Sequence, residues 1–415
     1  MIRRRVLVTL SLAQLASSIG TGAALGVGSL VAVELGGSDA WAGATTLAIS
    51  VVATLTALPL TRLALAVGRR RALSLGVGLA LVGAVGMVIV PVVASLPLLL
   101  VSAALLGFGS AANLQARFAA TDLSDEHSRA RDLGTVVWAI TVGAVAGPNL
   151  IGPGATVGAS VGLPPMSGPF LFSVAGMVVA LVVLNVGLRP DPLSDRARDL
   201  AGLGARSSRA TRPGLRAGLR LAASEPRTAL GVATVAIGHL VMVAIMSLTP
   251  VHLTHVHGGH GPDVLMIIGF TISLHIAGMY ALSPVVGWAA DRFGRLQVMI
   301  AAQAVLAASL VVGLAWPDDT LAIQVSLVLL GIGWSMSTIA GSAYVTESVA
   351  GEDRLAIQGL TDTSMGLAGA LGALVSGVGL ALVGFTGSNM VALVLIVALT
   401  VWQAGVLSRG TRIPT

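Results

Sequence analysis

The sequence predicts an all-α membrane protein: twelve transmembrane helices in two pseudo-symmetric six-helix bundles. Three observations predict it: a composition foreign to soluble domains, a series of membrane-length apolar runs, and arginines confined to alternate turns. Of the 415 residues, 55% are hydrophobic and 10% charged, against about 25% charged in ordinary soluble domains. Mean hydropathy is +0.91. A polytopic membrane protein is the class that fits.

A helix needs about 20 apolar residues to cross a ~30 Å hydrocarbon core. By that measure the spans fall at 6–33, 42–66, 72–94, 97–119, 133–156, 167–188, 229–250, 264–288, 296–315, 320–343, 356–384 and 389–407. The first follows Arg3-Arg4-Arg5 and stays apolar to about Val33. That exceeds the ~7–15 residues of a signal-peptide core, so it reads as a retained helix.

The 24 basic residues are all arginine, and net charge is +6. Such a balance could suggest a nucleic-acid partner, but the arginines lie in short turns between apolar runs. They group at Arg3–Arg5, Arg62–Arg71, Arg117–Arg131, Arg189–Arg227, Arg292–Arg295, Arg354 and Arg409–Arg412. The intervening turns 34–41, 91–97, 157–166, 251–263, 316–319 and 385–388 have none. This obeys the positive-inside rule, places both termini in the cytoplasm of a cell-membrane protein, and implies a lipid bilayer rather than nucleic acid as surroundings. There is no cysteine, hence neither disulfide nor thiolate metal site.

The segment 189–228 is rich in Arg, Asp, Ser, Gly and Pro. It reads as a cytoplasmic linker between halves 1–188 and 229–415, with a short interfacial helix at Leu215–Ser224. The halves repeat. Thr121-Asp122, Arg129 and Gly134 align without gaps on Thr346-Glu347, Arg354 and Gly359, and the same offset brings Gly147 onto Gly372. Duplicated six-helix halves are a known transporter architecture, with the substrate route between them.

Between spans 8 and 9 lies Gly287-Trp-Ala-Ala-Asp291-Arg292-Phe-Gly294-Arg295, a glycine-bounded charged turn that must sit at a membrane face. It resembles the G-x-x-x-D-R-x-G-R signature of major facilitator superfamily transporters. In span 5, Gly134, Gly143, Gly147-Pro148 and Gly152 resemble the signature of that family's drug:proton antiporter branch, with Ile151 replacing one closing glycine. Small residues at this spacing admit close helix approach, and proline bends the helix.

The resemblance implies an inner gate formed by Gly287, Asp291, Arg292, Gly294 and Arg295. Asp291 would close against the start of span 5 near Gly134, with Asp122, Arg129, Glu347 and Arg354 as further members. The equivalent turn after span 2 keeps only Gly68-Arg69-Arg70, with Leu65 and Ala66 where the family carries its acid and arginine. That leaves the first-half network in doubt. Ala103 replaces the span-4 arginine of drug antiporters, and Arg117 is expected to pair with Asp122 at the inner face.

Ionisable residues within spans are functional candidates. Asp362 sits eight residues past Arg354, ~12 Å along span 11. With His239 and His275 it is the candidate proton-coupling set, although each also suits a structural hydrogen bond. Trp138, Asn149, Tyr280 and Trp334 are the candidate substrate-cavity residues. The turn His252-Leu-Thr-His255-Val-His257-Gly-Gly-His260 offers donors to zinc, copper or nickel, but its spacing matches no fixed metal signature, so no metal site is assigned.

No phosphate-cradling, nucleophile-elbow or H-E-x-x-H motif is present, so neither an enzyme nor a cofactor is implied. The expected function is secondary active transport of small hydrophobic or amphipathic compounds by alternating access, as proton-coupled efflux. Proton-coupled import or uniport of a polar metabolite, or a non-transporting sensor, are the alternatives, and the family expectation is a monomer.

Overall fold

The computed structural model describes residues 2–124, 128–194, 215–259, 261–349 and 353–409. Among these every regular element is helical. The long elements are α1 Ile2–Gly36, α2 Ala44–Val67, α3 Arg69–Val93, α4 Leu96–Thr121, α5 Arg129–Asn149, α6 Ile151–Ser160 and α7 Gly168–Gly187. They continue with α8 Leu215–Ser224, α9 Pro226–His257, α10 Pro262–Tyr280, α11 Ser283–Phe293, α12 Arg295–Ala315, α13 Thr320–Glu347 and α14 Asp353–Arg409.

Among the described residues, ten helices are long and apolar enough to cross a membrane, and the bent pair α5–α6 makes an eleventh. The bend is 53° and follows Pro148, which lacks a backbone donor two residues before the break at Leu150. α14 runs for 57 residues but is interrupted at Gly384, whose φ of +68° no helix contains.

Helix ends follow local chemistry. Ser95 caps α4 by accepting from the Leu98 N–H, and Asp319 caps α13 by accepting from the Ala322 N–H at 2.7 Å. Gly68 joins α2 to α3 at φ +96°, and Gly294 joins α11 to α12 at φ +100°. Residues with a Cβ rarely adopt this region, so glycine is the natural hinge of both turns.

The histidine segment departs from expectation. Residues 251–263 are not a turn: α9 continues through His257 and ends where Gly258 takes φ +70°. Pro250 does not stop it, because proline forfeits only its own donor within an otherwise continuous ladder. His252 is buried on this helix. It donates from Nε2 to the Pro317 carbonyl at 2.7 Å and stacks on Phe385, with ring centroids 4.0 Å apart. His260 lies outside the described residues. Among the described residues no group of three or more His, Asp or Glu is placed to hold a metal.

The chain divides into two compact units. Unit 1 is Met1–Ser208 with His257–Ser273, and unit 2 is Arg209–Val256 with Leu274–Thr415. In unit 1, α1 packs on α4, α5 and α7, and α3 packs on α4 and α7. In unit 2, α12 packs on α13 and α14. The expected helix at 215–224 is present as α8. It lies on α14, where Gly218 meets the Ala356 carbonyl and Leu221 packs near Ile357 and Leu360.

Both units expose large apolar side chains, including Leu55 at 68% and Leu382 at 79%. That would be costly in water but suits hydrocarbon. Buried polar groups are stitched between helices instead. Gln403 donates to Thr234 at 2.9 Å, and Ser309 donates to the Ser326 carbonyl at 2.7 Å.

Candidate functional site

In unit 2 the turn at Gly294 places Arg295 at the start of α12. Its guanidinium meets Asp291, one helical turn back, at 2.5 Å and Glu347 at the end of α13 at 3.0 Å. Asp291 and Glu347 are largely exposed, with side chains 70% and 57% accessible. Arg292 is exposed, and Gly287 has open space where a Cβ would stand. Arg354 is also exposed and donates to the Val349 carbonyl at 3.2 Å.

Unit 1 builds the same device from different donors. Arg69 begins α3 directly after Gly68 and donates to both oxygens of Asp122 at the end of α4, at 2.7 and 3.2 Å. It also donates to Gln115 at 3.2 Å, and Gln115 in turn donates to Thr61 at 2.7 Å. Asp191 accepts from the Arg69 and Arg70 backbone N–H groups at 3.1 and 2.8 Å. It thereby caps the exposed donors at the positive end of α3. Unit 1 thus has its own hydrogen-bonded charge cluster around Arg69. Asp132 forms a neighbouring knot, accepting from Arg3 at 2.7 and 2.9 Å and from Ser124.

Arg117 does not pair with Asp122 as expected, because Arg69 occupies that carboxylate. Its Nε is buried without an acceptor among the described residues. The Arg129 side chain lies outside the described residues.

The glycines of α5 form a packing surface. Gly147 sits so close to α1 that a Cβ would reach the Ile19 carbonyl at 2.7 Å, and Gly143 lies closer still to the Leu15 carbonyl. On the other side, the Pro148 carbonyl abuts Gly269 and Gly152 abuts Met266, both on α10 within unit 1. Gly134 faces open space. Asn149 ends α5 and donates to Ser273 at 2.7 Å, and Ser273 donates to the Val145 carbonyl at 2.7 Å.

In unit 2, three candidate residues converge on each other. Trp334 of α13 donates its indole N–H to His239 Nδ1 of α9 at 2.8 Å. Tyr280 of α10 approaches the Trp334 ring edge-on at 6.0 Å. Gly369 of α14 lies against His239 Nε2. An indole N–H only donates, so Nδ1 must accept, and the imidazole here is neutral with its proton on Nε2. His275 is fully buried and donates from Nδ1 to the Leu327 carbonyl at 2.7 Å, leaving Nε2 without a partner among the described residues.

The Major Facilitator Superfamily model matches residues 10–272 and 259–412. The chain belongs to the major facilitator superfamily. The MFS-type transporter YddS of Bacillus subtilis (strain 168) is 34% identical over 411 residues, covering 96% of this chain and 91% of that protein. YdeG of the same strain is 33% identical over 97% of this chain and 92% of its own length. The riboflavin transporter RfnT of Brucella anthropi is 27% identical over 87% of this chain and 85% of its own length.

Two solved structures share the fold. One is a bacterial homologue of the human lysosomal transporter Spinster, in an inward-facing, occupied conformation (TM-score 0.72, 16% identity, 99% and 98% coverage). The other is the nucleoside transporter NupG (TM-score 0.72, 15% identity, 97% and 98% coverage). This major facilitator protein is a multi-pass membrane transporter, not an enzyme.

Within that family fold, Trp334 is 8% exposed and sits with Tyr280 and His239. Trp138 stands apart, 71% exposed on α5. Asp362 is exposed on α14, about two and a half turns past its start. Sequence reasoning missed Asp191, Asp132 and Gln115 as partners of Arg69, Arg70 and Arg3. The one sequence trace of this network was the repeat offset, which aligns Asp122 with Glu347 and, one residue longer, Arg69 with Arg295.

Proposed function

We propose that the chain is a proton-coupled exporter of small amphipathic compounds carrying a planar aromatic part. It would work by alternating access as a twelve-span monomer with both termini in the cytoplasm. The break at Gly384 supports counting α14 as two spans. The glycine face of α5 supports kinship with the drug:proton antiporter branch.

The observation that carries the proposal is the His239–Trp334–Tyr280 cluster. It joins a titratable imidazole to two aromatic rings suited to stacking a flat substrate. A second proton on the imidazole would have to occupy Nδ1, where the indole now donates. Protonation of His239 and release of Trp334 are thus one event. Asp362 and His275 are the further proton-handling groups in this scheme. A second reading, uptake of a polar metabolite, is favoured by the likeness to RfnT, which is named as a riboflavin transporter.

Inverted membrane vesicles loaded with a panel of cationic and anionic aromatic dyes test the direction. Export predicts dye accumulation in vesicles with an acidic interior and its collapse on adding an uncoupler. D362N is expected to reach the membrane in normal amount but to lose the response to a pH gradient. Dye loss from such vesicles would support import instead, and no movement of any dye would reject the proposal.

A further inference from the structure

In unit 1, α1 and α4 are fastened where Ser17 donates its hydroxyl to Asn113 Oδ1 at 3.2 Å. The two helices run in opposite directions. One turn closer to the arginine-bearing end, α1 therefore presents Gln14 and α4 presents Arg117. Gln14 is fully buried, yet neither its amide oxygen nor its amide nitrogen has a partner among the described residues. The Ser11 and Ser18 hydroxyls, three residues before and four after Gln14, are likewise unpartnered. Arg117 Nε is buried on the same level without an acceptor.

Among the described residues, the acids nearest this level are already engaged. Asp122 is held by Arg69, Asp132 by Arg3 and Ser124, and Asp191 by the start of α3. Among the described residues the Arg117 guanidinium thus lacks a counter-charge. An uncompensated guanidinium and an unsatisfied amide are each costly within a bilayer. One ligand chemistry satisfies the donors among these groups. An oxyanion takes the guanidinium fork in paired hydrogen bonds, and amide N–H groups complete its coordination.

We infer that Gln14, Asn113 and Arg117 form a subsite for a carboxylate or phosphate oxyanion belonging to the transported compound. This rests on the transport function proposed above and narrows the cargo to amphipathic organic anions. The Asn113 oxygen is engaged by Ser17, which leaves its amide nitrogen to donate. A phospholipid headgroup carries the same chemistry, and the test separates the two sources.

The full chain, purified in non-ionic detergent, is titrated with carboxyfluorescein, an anionic aromatic dye, and with ethidium, a cationic one, and fluorescence anisotropy is read. Replacing Arg117 by Gln is expected to weaken carboxyfluorescein binding about tenfold or more, the loss of one charge-assisted pair. Ethidium binding should be unchanged. R117K is expected to retain part of the affinity, and Q14L to lose several-fold while leaving the charge in place. Those two variants serve if R117Q does not fold.

Equal carboxyfluorescein affinity in wild type and these variants overturns the assignment. So does wild type that ignores carboxyfluorescein while phosphatidylglycerol raises its melting temperature in an Arg117-dependent way, because the oxyanion is then a lipid's. If the dye binds through Arg117 but crosses no vesicle membrane, the subsite stands and the export function falls.

Discussion

Arg69 and Asp122 are joined by two hydrogen bonds of 2.7 and 3.2 Å between α3 and α4, and Arg295 and Glu347 repeat the pairing between α12 and α13 at 3.0 Å. Both arginines directly follow a glycine at positive φ, and both acids end the helix that would follow in a duplicated half. The pairs differ in burial. Side-chain exposure is 7% and 12% in unit 1 but 22% and 57% in unit 2.

That difference predicts unequal stability effects. D122N should cost roughly 3–5 kcal/mol, because it strands a buried guanidinium. E347Q should cost about 0–1 kcal/mol, as an exposed pair does, with Asp291 still beside Arg295. Thermal unfolding of the purified variants checks this, and equal losses at the two sites would contradict it.

Asp191 caps the first turn of α3 from a distant point in the chain. D191A is expected to destabilise the protein by about 1–2 kcal/mol, as loss of a helix cap does. D191N, which keeps an acceptor oxygen, should recover most of it. Melting temperatures of the two variants side by side give the answer.

The glycines of α5 are not equivalent. G147L would drive its side chain into the Ile19 carbonyl and Gly22 of α1. It should lose transport and roughly 1–3 kcal/mol of stability, as overpacked cores do. G134A, facing open space, should be silent in both respects. Dye movement per unit of protein in the membrane distinguishes them.

The His239–Trp334 bond predicts a separation of binding from coupling. H239Q retains an acceptor for the indole but cannot titrate, so dye binding should persist while transport stops responding to a pH gradient. W334F removes the donor and should alter the pH profile of transport, whereas Y280F should leave that profile unchanged. Identical pH profiles in wild type and W334F would break the proposed link between proton and ring.

Much of the fold was legible because its signals are local. Apolar length set most spans to within a few residues, and the amphipathic run at 215–224 emerged as α8 with those bounds. The charged stretch Gly287–Arg295, expected as a turn, is instead helical through Phe293, and Gly294 at φ +100° alone reverses the chain. The histidine segment misled because glycine at 258, rather than polarity at 252, ends a helix. His252 can stay helical once its ring finds Pro317 and Phe385.

By itself the sequence determined that this is a duplicated, all-helical, membrane-spanning transporter, since hydrophobic length, charge placement and glycine spacing act over a few residues. Only the tertiary structure decided that Asp122 answers Arg69, that Asp191 caps the start of α3, and that His239 accepts from Trp334. Partner choice among distant polar groups depends on which helices pack together and at what register. In a sequence with so few ionisable residues, one helix contact decides which charge is satisfied and which, like Arg117, is left for a ligand.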